Sequence, residues 1–480
     1  MTDQRVSFLG AVSSQTRAEL LGILNRTEIS ISVAPETLAT TAGQTIVYQL
    51  ATLTARLFDH VKLIGDSGSA LFVGASRWSA FLSMSSPQSI VDSDCPVGPL
   101  AAGTLAAAEV FKIALGERVR GALGGREYSL SLRTYGEGET EEPDPEPGLP
   151  LDLVLYGAGS IGTGFGHALA FASQFAGPLT IVDNGSFDEK NPYKYSLLDW
   201  ATAIAGVAKA PWLARHLKEL TNGRLKATSF VGTAEQYVSS LDVDYRIPLA
   251  VSAVDTVEAR LEIQDTLPKR IINAGIAGTT VEASVHGFGD GPCLACLSMD
   301  TEQESWQATP IAEAVGLDAG RAHDLIRGNL PMEQADIETI KTAGRLPAEL
   351  AATLETFLDQ PLLSLWNRQV AYSDAVVNVN VGSAQPLVST AFVSAFAGIL
   401  LLAELYKAVD TTLASHIVDN SYRQDLLGIP ANDVFRHARD ARGWCLCHSG
   451  FRQIVYAEKY SVKSKQQNAS IPSQTVADDP

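Results

Sequence analysis

The hexapeptide Gly157-Ala158-Gly159-Ser160-Ile161-Gly162 constrains this chain more than any other feature. It follows an apolar, β-forming run (LDLVLY, 151–156) and precedes an Ala-rich helical stretch at 163–175. A second strand, Leu179-Thr180-Ile181-Val182, then ends on Asp183. Glycines at that spacing let the backbone turn tightly, approach a phosphate and pack a helix close to a strand, while the helix start offers free N–H groups. An acid roughly 20 residues on is placed to hold ribose hydroxyls. The pattern predicts a β-α-β nucleotide-binding unit within a Rossmann-like, doubly wound α/β sheet, with Gly157, Gly159, Gly162 and Asp183 at the ligand. The plainer alternative is that the glycines serve helix-on-strand packing alone. Taken by itself, the fingerprint would read as an NAD-dependent dehydrogenase.

The residues after Asp183 point elsewhere. The segment DNGSFDEKNPYKY (183–195), with Gly206-Val207-Ala208-Lys209-Ala210 beyond it, resembles the ThiF/MoeB adenylyltransferases, the superfamily of ubiquitin-activating enzymes. The resemblance implies that Asp183 holds the ribose and that Asn191, Lys194 and Lys209 surround the phosphates of ATP. Lys194 stands where the family has Arg, keeping the charge but losing the bidentate fork. The run Val251-Ser252-Ala253-Val254-Asp255 reads as another strand ending in an acid beside the crevice, where Asp255 can hold Mg²⁺ against triphosphate. An N-cap of the next helix is the competing role for Asp255. The family also brings an Arg across from a partner half, and Arg17 or Arg5 is the candidate.

Two cysteine pairs, Cys293/Cys296 and Cys445/Cys447, suit a four-coordinate structural Zn²⁺ better than disulfides, and MoeB-type members carry pairs at these places. The second pair is CxC, which brings His448 forward as a replacement ligand. Buried reduced thiols are the alternative. Family members that form a thioester place a cysteine after the first pair, but residues 297–385, a helical insertion with stretches at 312–328, 333–343 and 347–358, contain none. Cys95 is then the least encumbered substitute, against the simpler reading of a buried thiol.

The chain has 480 residues, and a prior of roughly 100–200 residues per domain predicts several domains. Echoes along the sequence suggest how they arose. AGTLAAAEVFK (102–112) and AGILLLAELYK (397–407) share spacing, and Ala42-Gly43 leads through Phe58 to Asp66 as Ala158-Gly159 leads through Phe175 to Asp183. Thr41 and Ile46 replace Gly157 and Gly162 in the earlier copy. The expected order is therefore a degenerate, inactive adenylation-like domain at 1–135, an acidic Pro-rich linker at 136–150, an active ThiF-type domain at 151–450 and a disordered tail at 461–480.

A net charge of −18, from 36 Lys+Arg and 54 Asp+Glu, argues against nucleic acid or membrane surfaces as partners. The apolar stretch 387–403 reads as a buried helix. Few cysteines and no secretory pattern at the start suggest a cytoplasmic protein. The resemblance implies ATP-dependent adenylation of the C-terminus of a ubiquitin-like protein, in a bacterial conjugation pathway with a conjugating enzyme, by an internal pseudo-dimer or a homodimer. Activation of a sulfur-carrier protein or a biosynthetic peptide, or a non-catalytic nucleotide-binding scaffold, are the alternatives.

Overall fold

The computed structural model describes residues 19, 22–64, 71–116, 122–123, 126–189, 191–288, 291–298, 311–327, 330–346, 348–362, 365, 390–413, 421–428, 433–435, 437–440 and 445–461. Asp66, Arg5, Arg17 and the tail beyond Ser461 lie outside these residues.

The first region opens with β1 (Glu28–Ser32), α1 (Thr41–Thr54) and β2 (His60–Ile64), the two strands pairing in parallel across the helix. It continues with β3 (Phe72–Ala75), β4 (Ser79–Ser83), α2 (Val97–Leu115) and β5 (Glu127–Ser131), the three strands forming an antiparallel sheet. Apolar on nearly every side, α2 is buried along almost its whole length, as such a helix must be.

The second region holds β6 (Leu149–Pro150), β7 (Leu153–Tyr156), α3 (Ser160–Phe171), β8 (Phe175–Val182), α4 (Lys209–Leu220), β9 (Leu225–Phe230), β10 (Ala250–Ser252), α5 (Val257–Asp265), β11 (Arg270–Ala277), β12 (Thr280–Gly287), α6 (Leu294–Ser298), α7 (Ala391–Val409), β13 (Ser421–Asp425), β14 (Asp433–Phe435) and α8 (Gly450–Tyr460). Strands β9, β8, β7, β10 and β11 lie side by side in parallel, and β12 to β14 extend the sheet antiparallel. From β7 the chain goes one way to β8 and later the other way to β10. This is the reversal at which doubly wound sheets open a ligand crevice.

Helix α7 crosses α3 with no side chain between them: a Cβ on Gly398 would stand 2.3 Å from the Gly164 carbonyl carbon, and one on Gly164 2.7 Å from the Ser394 oxygen. Gly103 gives α2 the same closeness to α1, at 2.8 Å from the Ile46 oxygen. The two sequence echoes thus fall on helix pairs built alike. Each pair also carries a buried i,i+3 ion pair, Glu109–Lys112 and Glu404–Lys407, both at 2.7 Å.

The acidic segment 136–150, expected to be a linker, buries one of its carboxylates. Glu142 is 5% exposed, because Ser79 Oγ (2.8 Å), Ser76 Oγ (3.2 Å) and the Trp78 amide (3.2 Å) donate to one oxygen and Ser131 Oγ (2.5 Å) to the other. The inserted region has helices at Ala319–Arg327 and Gln334–Ala343 and a separate apolar core from Ile311 to Leu365. Arg321 forks onto Asp336 with two 2.8 Å contacts.

Candidate active site

The glycine loop leaves the end of β7 where the sheet reverses. Gly157 has φ +94°, and a Cβ there would lie 2.6 Å from the Ala253 oxygen, so neither another residue's backbone preference nor its bulk fits. Gly162 must be bare for a different reason: its Cβ would meet the Gly157 oxygen at 1.9 Å. Gly159 faces open space, with Tyr195 Oη at 3.9 Å the nearest atom, and caps α3 with no side chain. The start of α3 is therefore uncovered toward a cavity of about 640 Å³.

Asp183, one residue past β8, accepts from the Ala158 amide (2.7 Å) and the Gly185 amide (2.7 Å), which ties the loop to the strand end. Lys209 opens α4, and its amide donates to the Gly185 oxygen at 3.0 Å. Its Nζ lies over Gly185, 3.1 Å from where a Cβ would be. Asn191 is locked in a reciprocal pair with Asp188, accepting from its amide (3.1 Å) and donating to its carboxylate (3.0 Å). Lys194 is on the same turn, its amide donating to the Asn191 oxygen at 2.9 Å. Asp255 is exposed beyond β10. Thr256, not Asp255, caps α5 by accepting from the Ala259 amide at 3.2 Å, so the N-cap role falls to its neighbour.

Gly157, Gly159, Asp183, Asn191, Lys194, Lys209 and Asp255 all line this one cavity, although nearly a hundred residues separate the first from the last. Sequence reasoning missed two basic residues beside it. Arg56, from the end of α1, donates to the Pro192 and Ser196 oxygens, each at 3.3 Å, bracketing the turn that bears Lys194. Arg260 donates to the Val254 oxygen at 3.2 Å, and burial lowers its guanidinium despite the charges of Glu282 and Asp255. The Arg56 contacts join segments far apart in the chain, for which one sequence carries no local signal.

The four cysteine sulfurs of Cys293, Cys296, Cys445 and Cys447 lie within 4.8 Å of one another. That donor set fits tetrahedral thiolate ligation of a soft divalent ion. His448 stays beside the cluster, with Nδ1 3.0 Å from Cys445 Sγ, without being needed as the fourth ligand. The cluster ties α6 to the turn that precedes α8, far along the chain. Cys95, offered as a substitute nucleophile, is 0% exposed, and burial pushes its thiol up; the structure contradicts that role.

Fold and site together define a Rossmann-type nucleotide-binding α/β protein. The sequence pattern of the ThiF family matches residues 151–441, and the chain belongs to that family of ATP-using adenylyltransferases. It is 30% identical over 407 residues to the uncharacterized protein y4jF of Sinorhizobium fredii, an alignment covering 81% of this chain and 74% of that protein. Among solved structures it is similar to E. coli MccB with MccA, at 12% identity and a TM-score of 0.37, covering 62% of this chain and 66% of the other. MccB with ATP gives 12% identity and a TM-score of 0.36, covering 61% and 65%. The chain thus spans slightly under two thirds of the MccB chains.

Proposed function

We propose that this protein adenylates the C-terminal carboxylate of a ubiquitin-like protein, the activating step of a conjugation pathway. The observation that carries the reading is the gathering of the glycine loop, Asp183, Asn191, Lys194, Lys209 and Asp255 in one cavity at the sheet reversal. The carboxylate attacks the α-phosphorus of ATP, a new P–O bond forms, the bond to the β-phosphate bridging oxygen breaks, and pyrophosphate leaves. Negative charge accumulates on phosphate oxygens throughout, so fixed donors and cations aimed there supply most of the acceleration. The open start of α3 receives phosphate, Lys209 and Lys194 offset its charge, and Asp183 orients the ribose. Asp255, exposed at the cavity rim, is the residue to hold Mg²⁺, which when bound screens the triphosphate. Zn²⁺ at the four cysteines is structural, remote in role from the reacting atoms.

The first region is proposed as an inactive copy of the same unit, which makes the chain an internal pseudo-dimer. The paired echoes and the repeated Glu–Lys contact support this. The test of the whole reading is ATP–pyrophosphate exchange with a cognate ubiquitin-like protein. Exchange that depends on that protein's free C-terminus supports it. Exchange only with a sulfur carrier or a short peptide would move the substrate assignment, and its absence with every carboxylate would leave a scaffold.

A further inference from the structure

Tyr195 is 4% exposed, with its ring set edge-on against Phe187 at 5.4 Å, yet it lines the nucleotide cavity. Its hydroxyl oxygen lies 3.9 Å from the position of a Cβ on Gly159, the residue that caps α3. Among the described residues this hydroxyl makes no hydrogen bond. Its oxygen opens onto the cavity rather than being sealed in the core, so a ligand seated there can accept from it.

The side chain is held in place from several directions. The turn Asn191–Tyr193 precedes it, and Arg56 grips the backbone oxygens of Pro192 and Ser196 on either side. Burial, together with the carboxylates of Asp183, Asp188 and Asp255, pushes the phenol well above its ordinary range, so it remains a neutral donor. An anion seated on the N–H groups at the start of α3 would come within reach of that donor.

We propose that the Tyr195 hydroxyl donates a hydrogen bond to the nucleotide phosphate seated at the start of α3, which makes it a further catalytic residue of adenylyl transfer. The assignment rests on the adenylyltransferase reading. Oη keeps its proton throughout, and no bond at Tyr195 forms or breaks. A neutral donor adds to Lys194 and Lys209 where three carboxylates already crowd the site.

Tyr195→Phe removes only the hydroxyl and keeps the ring against Phe187. Titration of the full-length variant with ATP·Mg²⁺ and with adenosine, alongside ATP–pyrophosphate exchange, reads the effect. Loss of one hydrogen bond to a charged group predicts an approximately tenfold fall in ATP affinity and exchange, with adenosine affinity unchanged. Unaltered ATP affinity and exchange would overturn the proposal. So would equal losses for ATP and adenosine, since a packing defect does not discriminate between them. If the wild-type protein binds no ATP, the adenylyltransferase reading falls and takes this proposal with it, whereas a neutral Tyr195→Phe in an active enzyme sinks this proposal alone.

Discussion

Helices α1 and α3 begin in comparable settings, each after a parallel strand, and end up chemically opposite. At α1 the Thr40 hydroxyl accepts from the Gly43 amide (3.0 Å) and Asp92 accepts from the Ala42 amide (3.2 Å), so the protein's own oxygens satisfy the helix start. At α3 Asp183 takes the Ala158 amide, but the cap is Gly159 and no side chain closes the end. An unsatisfied helix N-terminus carries partial positive charge and free donors, which bind anions. The difference between a structural helix and a nucleotide site therefore lies in one withheld cap and the glycines that keep the approach clear.

The largest effect that would sharpen this contrast comes from paired lysine substitutions. Lys209→Ala should cut exchange by roughly 10²–10³-fold while the protein stays folded, as loss of a donor to developing phosphate charge would. Lys112→Ala, in the first region, should instead leave Glu109 buried without its partner and cost about 3–5 kcal/mol of stability. Comparing exchange per folded molecule with denaturant midpoints separates the two; an exchange loss in Lys112→Ala alone would break the contrast.

The cysteine cluster belongs to the second region only. Elemental analysis of protein purified without chelator should find one Zn²⁺ per chain, and Cys447→Ser should lower both metal content and melting temperature. A metal-free protein of unchanged stability would remove the zinc assignment.

A smaller effect concerns the contact between the two helices. His167 on α3 bonds Gln49 of α1 at 3.0 Å, and burial lowers its imidazole to about 4. Between the ordinary histidine value of about 6.5 and 4, the unfolded chain binds a proton that the folded chain refuses. Stability present above pH 6.5 is thus lost as the pH falls toward 4. His286, also lowered to about 4 by burial, shares this slope, so His167→Gln should flatten it only in part in melts across that range.

The glycine loop and Asp183 were legible in the sequence because a β-α-β unit is local: turn, helix start and next strand end fall within one short segment. That Lys209 and Asn191 reach this cavity was legible through family resemblance, and that Asp255 does was legible from its place after a strand. The roles of Arg56 and Tyr195 were not. Arg56 meets Pro192 and Ser196 only because α1 is laid against the second region, and Tyr195 becomes notable only once its hydroxyl is seen over Gly159. At 136–150 the acidic residues and prolines read only as a linker. Glu142 is buried because serines from β4 and β5 and the turn before β4 converge on it, and no count of residues within the segment could show that.

The most direct test of the account is to cap the open helix. At Gly159 the backbone is extended, with φ −71° and ψ −161°, and space surrounds the Cβ position, so Gly159→Asp fits sterically and closes α3 much as Asp92 helps to close α1. Calorimetric titration of wild-type and variant protein with ATP·Mg²⁺ and with NAD decides the matter. The account predicts ATP binding by the wild type, little NAD binding, and loss of ATP binding in the variant with the fold retained. Tight NAD binding with none for ATP, or a capped variant that binds ATP as well as the wild type, would contradict it.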